Sequence, residues 1–294
     1  MNAPPQNSLC LYASYVDGLG VPYHSVVYLK ELRKHCTELV YLHSNPLNNK
    51  DKLFFKENTI KAIHTANNGF DFGLWYKAMQ QIDLLSFDRI YLVNDSCILF
   101  TPLDNFVRWS LTDKADFQGM TYSEAVAPHL QSYFLVINKS AIKAVKDYFA
   151  NHQIIENLTH VITTYEIGLS TYLVSLGFNI SAFVDNNGYK GEFAPYYKCV
   201  DYHLSKGIPM IKKKIIFSSY RKDELFTLAR MNFNVSTNYY INKIKIYNRN
   251  LIIDLDKLEG DLQGLGVFQM LNYQMARLAI CFLHLFYKRK KRND

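Results

Sequence analysis

The chain has 294 residues, 49% of them hydrophobic, and a formal charge of +7. That apolar share excludes a disordered chain and is enough for one large core or two modest ones. Five of the positive charges sit together in Lys288-Arg289-Lys290-Lys291-Arg292, so the remainder is only mildly basic and does not read as a nucleic-acid-binding body. Five scattered cysteines without a C-x-x-C pair point to reduced thiols, not to a disulfide framework or a zinc site. The first eight residues are polar and lack the basic-then-apolar order of a secretory leader.

Leu9-Cys10-Leu11-Tyr12-Ala13 is a short apolar run that predicts a strand, closed by the turn Ser14-Tyr15-Val16-Asp17-Gly18. Residues 26–35 have helical spacing, with Val26, Val27, Leu29 and Leu32 set against Lys30, Arg33 and Lys34. Residues 38–42 predict a second strand, ended by Ser44-Asn45-Pro46, and residues 59–63 a third. A helix over 72–85 follows, and then the strand Ile90-Tyr91-Leu92-Val93. Residues 116–120 and 133–137 read as further strands, and 139–151 and 166–176 as helices. This alternation predicts an α/β domain with a largely parallel sheet flanked by helices. The pattern changes near 216–221. The reading therefore places an α/β domain at 1–221 and a mainly helical extension at 222–294, with aliphatic alternation over 239–255 inside it.

Two motifs carry the chemistry. In Asn94-Asp95-Ser96 a carboxylate flanked by small polar side chains stands where a buried strand runs out, and open α/β sheets bind ligands at such strand ends. Asn67-Asn68-Gly69-Phe70-Asp71-Phe72-Gly73 is a Gly/Asn turn launching a helix, whose free N–H groups suit a diphosphate. Asn68 and Asp71 are also good N-cap residues, so ordinary capping competes with a binding role. The abundance of Tyr and Phe fits either sugar platforms or core packing.

These pieces occur in the order Asn68-Gly69-Phe70-Asp71-Phe72-Gly73, Val93-Asn94-Asp95-Ser96, Ala115-Asp116-Phe117-Gln118-Gly119-Met120-Thr121 and His129-Leu130-Gln131-Ser132-Tyr133-Phe134. Tyr165-Glu166-Ile167 and Gly207-Ile208-Pro209-Met210-Ile211-Lys212 follow them. Over residues 9–217 the chain resembles the rhamnan-synthesis F-type glycosyltransferases. The resemblance implies a GT-A-like, Rossmann-type fold and a transferase that moves a sugar from a nucleotide-diphosphosugar, with rhamnose or another deoxyhexose expected, onto a lipid-linked glycan in bacterial surface polysaccharide synthesis. Gln118 stands where the family usually has Trp and Met210 where it has Phe, so the pocket lining is expected to differ.

The resemblance also assigns roles. Departing diphosphate must be met by a cation, basic side chains or a helix N-terminus. GT-A enzymes hold Mg²⁺ or Mn²⁺ on an acidic pair; here Asp95 is the single carboxylate, with His203 as a second metal ligand. Asn68, Gly69, Asp71, Asn94 and Ser96 are expected to hold the donor, His129 and Gln131 the acceptor, and Lys212 the leaving diphosphate. Lys212-Lys213-Lys214 otherwise reads as a solvated face. Inverting transfer needs a base for the acceptor hydroxyl. Glu166 is the first choice and Glu124 the second, with a capping box from Thr163 to Glu166 as the structural alternative for the former.

Leu278-Ala279-Ile280-Cys281-Phe282-Leu283-His284-Leu285-Phe286-Tyr287 is too short to span a bilayer, which takes roughly 20 residues. With the basic run behind it, it fits a helix lying on anionic lipid at the cytoplasmic side of the inner membrane, or else a helix docked on the protein. Two readings from other classes remain open: a non-catalytic glycan- or nucleotide-sugar-binding module, and a protein acting on membranes or nucleic acid through its tail.

Overall fold

The computed structural model describes residues 7–15, 20–124, 127–185 and 200–213, with 200 and 201 described by backbone only. The expected extension at 222–294, its terminal helix and the basic run lie outside the described residues. β1 (Ser8–Ser14), β2 (Glu38–His43), β3 (Ile60–His64) and β4 (Arg89–Asn94) run parallel in the order β3-β2-β1-β4. β8 (Phe134–Asn138) continues the sheet antiparallel to β4, and β6 (Phe117–Ser123) lies antiparallel to β8. β7 (His129–Leu130) and β9 (Ile180–Val184) both pair with β6, β9 in parallel. The expected α/β class, a mostly parallel mixed sheet between helices, is what the chain forms.

Alternate residues of each strand feed two cores, as the two-residue period of a pleated strand requires. Leu9, Leu11 and Ala13 of β1 enter one cluster, with Phe72, Trp75, Val145, Phe149 and Leu173. Those side chains come from α3 (Phe70–Met79), α5 (Lys139–Ala150) and α7 (Gly168–Ser175). Cys10 and Tyr12 enter the other cluster, with Tyr28, Leu32, Phe55 and Phe106. These belong to α1 (Tyr23–Leu32), α2 (Asn49–Glu57) and α4 (Asp104–Thr112). Most of the aromatic side chains named here are core: Tyr12, Tyr28, Tyr41, Trp75 and Phe72 are among the largest fully buried residues.

Several elements depart from the sequence reading. The helix expected over 72–85 stops at Met79, and Asp83, which accepts from the Leu85 N–H at 3.2 Å, starts a separate 3₁₀ turn at Leu84–Ser86. α2 was not expected because its apolar stripe is thin, although the capping box of Asn48 and Asp51 marks its start. α4 and β9 were missed as well, as was a small antiparallel pair, β5 (Cys97–Leu99) with β10 (Met210–Lys212). α6 (Leu158–Val161) passes into a π turn, Ile162–Ile167, and then α7, so the helix expected at 166 begins eight residues earlier. Three cysteines, Cys10, Cys36 and Cys97, are buried free thiols, as expected.

Glu31 ties the α1 face together. It is buried, yet its Oε1 accepts from the Leu103 backbone N–H at 3.1 Å and faces His35 at 3.3 Å, while Lys34 reaches its Oε2 at 2.6 Å. Burial alone would raise its pKa, but these partners outweigh it and hold the carboxyl down to about 2, against an ordinary 4.5. The carboxylate form therefore stabilises the fold fully above about pH 4.5, and that contribution disappears as pH falls toward about 2. Glu31→Gln is expected to lower the urea midpoint at neutral pH by an amount corresponding to about 1–3 kcal/mol. The gap from the unsubstituted protein should close between pH 4.5 and 2.

Candidate active site

β1 and β4 are hydrogen-bonded neighbours, with Ala13 opposite Asn94, yet the chain leaves β1 for α1 on one face and enters β4 from α3 on the other. Such a switch point leaves a crevice at the strand tips, where open α/β sheets take their ligands. Ser14 ends β1 and Asp95 follows β4, so both stand at that crevice. Ser14 Oγ donates to Asp95 Oδ2 at 2.9 Å, and the Asp95 N–H is bonded to Ala13 O at 3.1 Å. Asn94 Oδ1 accepts from both the N–H and the hydroxyl of Ser96. That double contact orients the Asn94 amide so that its Nδ2 donates to Asp71 Oδ2.

Asp71 thus reaches the tip of β4 from the start of α3. Gly69, at φ 81°, and Phe70, at φ 57°, turn the chain through the left-handed region, which is costly for a residue with a side chain. Gly73 follows because a Cβ there would lie 1.9 Å from the Asn68 carbonyl oxygen. Neither Asn68 nor Asp71 caps α3 in the ordinary way: the N-cap is Gly69, with no side-chain bond, and Asp71 Oδ1 accepts from the adjacent Phe72 N–H. The Asn68 side chain turns back along the helix and accepts from Lys77 Nζ. The structure therefore brings Asp71, Asn94, Asp95 and Ser96 together and directs the Asn68 oxygen elsewhere.

Glu166 reaches the site from a second element packed on the same face of the sheet as α3. It lies in the π turn, where the widened helix shifts side chains relative to an α-helical register. Gly168 closes that turn against the Tyr148 hydroxyl, which would sit 2.5 Å from any added Cβ and which donates to Thr164 O. Ser132 Oγ donates to Glu166 Oε2 at 2.9 Å, and His129 Nε2 lies 3.5 Å from Oε1. The capping box from Thr163 does not form, since Thr163 Oγ1 bonds to His160 O. His129 Nδ1 faces Ala127 O at 2.7 Å, which leaves Nε2 directed at Glu166. Gln131 is buried with its Oε1 bonded to Thr121, and Glu124 is exposed at the end of β6, 3.4 Å from the Tyr122 hydroxyl.

The two carboxyls are driven apart. Burial, with Glu166 adding to it, pushes Asp71 up to about 6 against the hydrogen bond from Asn94. Burial would raise Glu166 also, but His129, Lys212 and Ser132 together draw it below the ordinary carboxylate value. Asp71 therefore keeps its proton to a higher pH than Glu166, and pairs of carboxyls pushed apart in this way mark acid–base sites.

β10 supplies the positive charge. Its pairing with β5 sets Lys212 opposite Cys97, and the Lys213 N–H bonds to Ser96 O at 2.8 Å. Lys212 lies over the Tyr133 ring, 5.3 Å from its centroid. Lys213, read from sequence as part of a solvated face, is instead tucked against Asp95, with Nζ 3.5 Å from Oδ2 and the side chain 14% exposed. Sequence reasoning also missed Ser14, Ser132 and His24. His24, in the first turn of α1, is buried, and among the described residues neither ring nitrogen makes a well-formed hydrogen bond, although one faces the Asp95 backbone. Only the strand-end position of Ser14 and the sequence Lys212-Lys213 beside Pro209 offered a signal for any of these.

The donor set at Asp95 does not fit a divalent cation. Its single carboxylate already holds an ammonium group and a hydroxyl, and it joins no trio of metal-ligating atoms among the described residues. His203, on α8 (Val200–Ser205), is pushed by burial down to about 4 and is a neutral imidazole. The trio that does occur among the described residues is Glu31, His35 and Asp104. It belongs to the end of α1 remote from the strand tips, where Thr37 bonds to Ser8 at the start of β1. Gln118 and Met210 do not change the crevice. Gln118 is buried and bonded to Asp113, before the start of β6, and Met210 accepts from the Tyr28 hydroxyl inside the α1-side core.

Among solved structures, the chain is similar to the glycosyltransferase GlyE of Streptococcus pneumoniae TIGR4, at 11% identity and TM-score 0.42, covering 81% of this chain and 64% of that one. It is also similar to a cytidylyltransferase from Leptospira borgpetersenii, at 12% identity and TM-score 0.39, covering 83% and 95%. The fold assignment rests on the sheet order, not on these superpositions. No curated protein matches the chain. The model of one family, rhamnan synthesis protein F, matches residues 39–289. It starts at β2 and runs past residue 217, where the motif resemblance stopped, so the C-terminal part carries family sequence after all. With most of its length matched, the chain belongs to the rhamnan synthesis protein F family.

Proposed function

We propose that the protein is a glycosyltransferase that moves a deoxyhexose, rhamnose, from a nucleotide-diphosphosugar to a lipid-linked glycan with inversion of the anomeric centre. The observation that carries this reading is the meeting of Asp71, Glu166 and two lysines at the β1/β4 switch point of a chain of this family. Glu166 acts as the base: it is ionised, and Ser132 and His129 fix its carboxylate for the acceptor hydroxyl proton. Asp71 and Asn94 accept and donate to the sugar hydroxyls, with Ser96 holding Asn94 in place. Lys212 faces the developing charge of the leaving diphosphate. The cation expected from the family resemblance would have Asp95 as its one carboxylate beside the phosphates. That carboxylate is engaged by Lys213, and no step here passes through a metal.

The acceptor's lipid gives the residues after 277 a purpose, as a peripheral anchor on the cytoplasmic face of the inner membrane. Among the described residues no helix is long and apolar enough to cross a membrane. Removal of residues 278–294 is expected to abolish sedimentation with anionic vesicles; unchanged sedimentation would remove the anchor from the proposal.

Glu166→Gln is expected to cut transfer from a nucleotide-sugar panel by about 10²-fold or more while donor affinity is kept. Turnover like that of the unsubstituted protein would disqualify Glu166 as the base. Asp71 behaves in the opposite sense to Glu31. Its folded pKa of about 6 lies above the ordinary 3.8, so the stability it contributes is complete below pH 3.8 and lost as pH rises through 6. Asp71→Asn should therefore stabilise the protein at pH 7.5 by on the order of 1–2 kcal/mol while depressing transfer. The stabilisation should vanish below pH 3.8 in a thermal-melt series across pH.

A further inference from the structure

A diphosphate entering the crevice over the tip of β4 meets the Asp95 carboxylate, which by itself would repel it. Lys213 cancels that charge from within the protein. Its ammonium lies 3.5 Å from Asp95 Oδ2, the oxygen that also accepts from Ser14, and both side chains of the ion pair are nearly buried, at 14% and 13% exposure. The backbone fixes this position independently of the ion pair, because the Lys213 N–H is bonded to Ser96 O and β10 is paired with β5.

A second feature points to an anion at the same place. α1 begins after Pro22 with no side-chain cap, so among the described residues no side-chain acceptor caps the positive end of its dipole. In that first turn His24 is 1% exposed, and among the described residues its ring nitrogens make no well-formed hydrogen bond, only a poor one toward the Asp95 backbone, an expensive condition for a buried polar group. Burial first, and Lys213 second, push its pKa well below the ordinary value, while the Asp95 backbone opposes them. The imidazole is therefore neutral and offers one N–H donor beside an ammonium group.

We infer that Lys213, anchored on Asp95 beside His24 and the uncapped start of α1, is the protein's own counter-charge for the donor's diphosphate, and that it takes the place a divalent cation would hold, so that donor binding needs no added metal. The inference rests on the nucleotide-sugar reading of the site. It deepens that reading by replacing the Asp95–His203 metal pair with a lysine clamp, in which Lys213 and Lys212 come from adjacent positions of one chain segment.

The test is calorimetric titration of the full chain with UDP, GDP and dTDP, in EDTA and in Mn²⁺. At least one diphosphate is expected to bind in EDTA with an affinity within about threefold of that in Mn²⁺. Lys213→Met should weaken that binding by about tenfold or more, and Lys213→Arg should restore most of it. Asp95→Asn, which frees the ammonium, should keep or tighten the binding, whereas a metal ligand replaced in this way would lose it. Melting curves check that each variant is folded, and the comparison of EDTA with Mn²⁺ on the unsubstituted protein decides the question without any variant. Binding seen only with Mn²⁺ overturns the lysine clamp and leaves the transferase reading standing. Binding in neither medium overturns both.

Discussion

The divergence of the chain around β1 and β4 is the constraint on which the rest depends. Two parallel neighbours in full register are served by connections on opposite faces of the sheet, so the two connections diverge and leave a crevice at the strand tips. The polar groups of the candidate site are brought to that space by several different elements. Ser14 ends β1, Asn94 ends β4, Asp71 starts α3, His129 lies on β7, Ser132 precedes β8, Glu166 sits in the π turn and Lys213 follows β10. The sheet supplies position, and the irregular pieces around it supply chemistry.

Those irregular pieces are costly by ordinary rules, and the packing beneath them explains why they persist. The left-handed turn at Gly69 and Phe70 is followed by Phe72, whose ring stacks on Tyr165 with centroids 5.3 Å apart, next to the carboxylate-bearing Glu166. Phe149 lies 5.2 Å from Tyr165, and the Trp75 indole donates to Leu11 O in the middle of β1. One aromatic cluster thus locks the start of α3, the π turn and the central strand to each other. Asp71 and Glu166 are held apart in ionisation because neither can move away from its own set of donors. Dense aromatic packing of this kind stores local backbone strain without letting it relax.

Charge is handled differently on the two faces. Glu31 is buried but surrounded by donors, so its carboxylate strengthens the fold by joining α1 to the start of α4. Asp71 has fewer donors, the Asn94 amide and the Phe72 N–H, which do not offset its burial, and it costs stability at neutral pH. His24 is likewise poorly satisfied, since among the described residues its ring nitrogens make no well-formed hydrogen bond.

Sequence by itself determined the alternation of strands and helices, the strand tip carrying Asp95, the glycine launch of α3 and the family. Apolar periodicity and the need for glycine at positive φ are local properties that one stretch of chain expresses alone. The family match lengthened this reading at its C-terminal end. Only the tertiary structure decided which polar residues share a crevice. Asn68 was turned away from it by Lys77, although its neighbour Asp71 entered it. Lys213, part of an apparently ordinary basic run, became the partner of Asp95, 118 positions away in the chain, because β10 pairs with β5. His24 and Ser132 carry no motif at all. Electrostatic pairing depends on distances of a few ångströms between segments remote in sequence, and those distances are set by the packing of the whole sheet and its helices rather than by any window of residues.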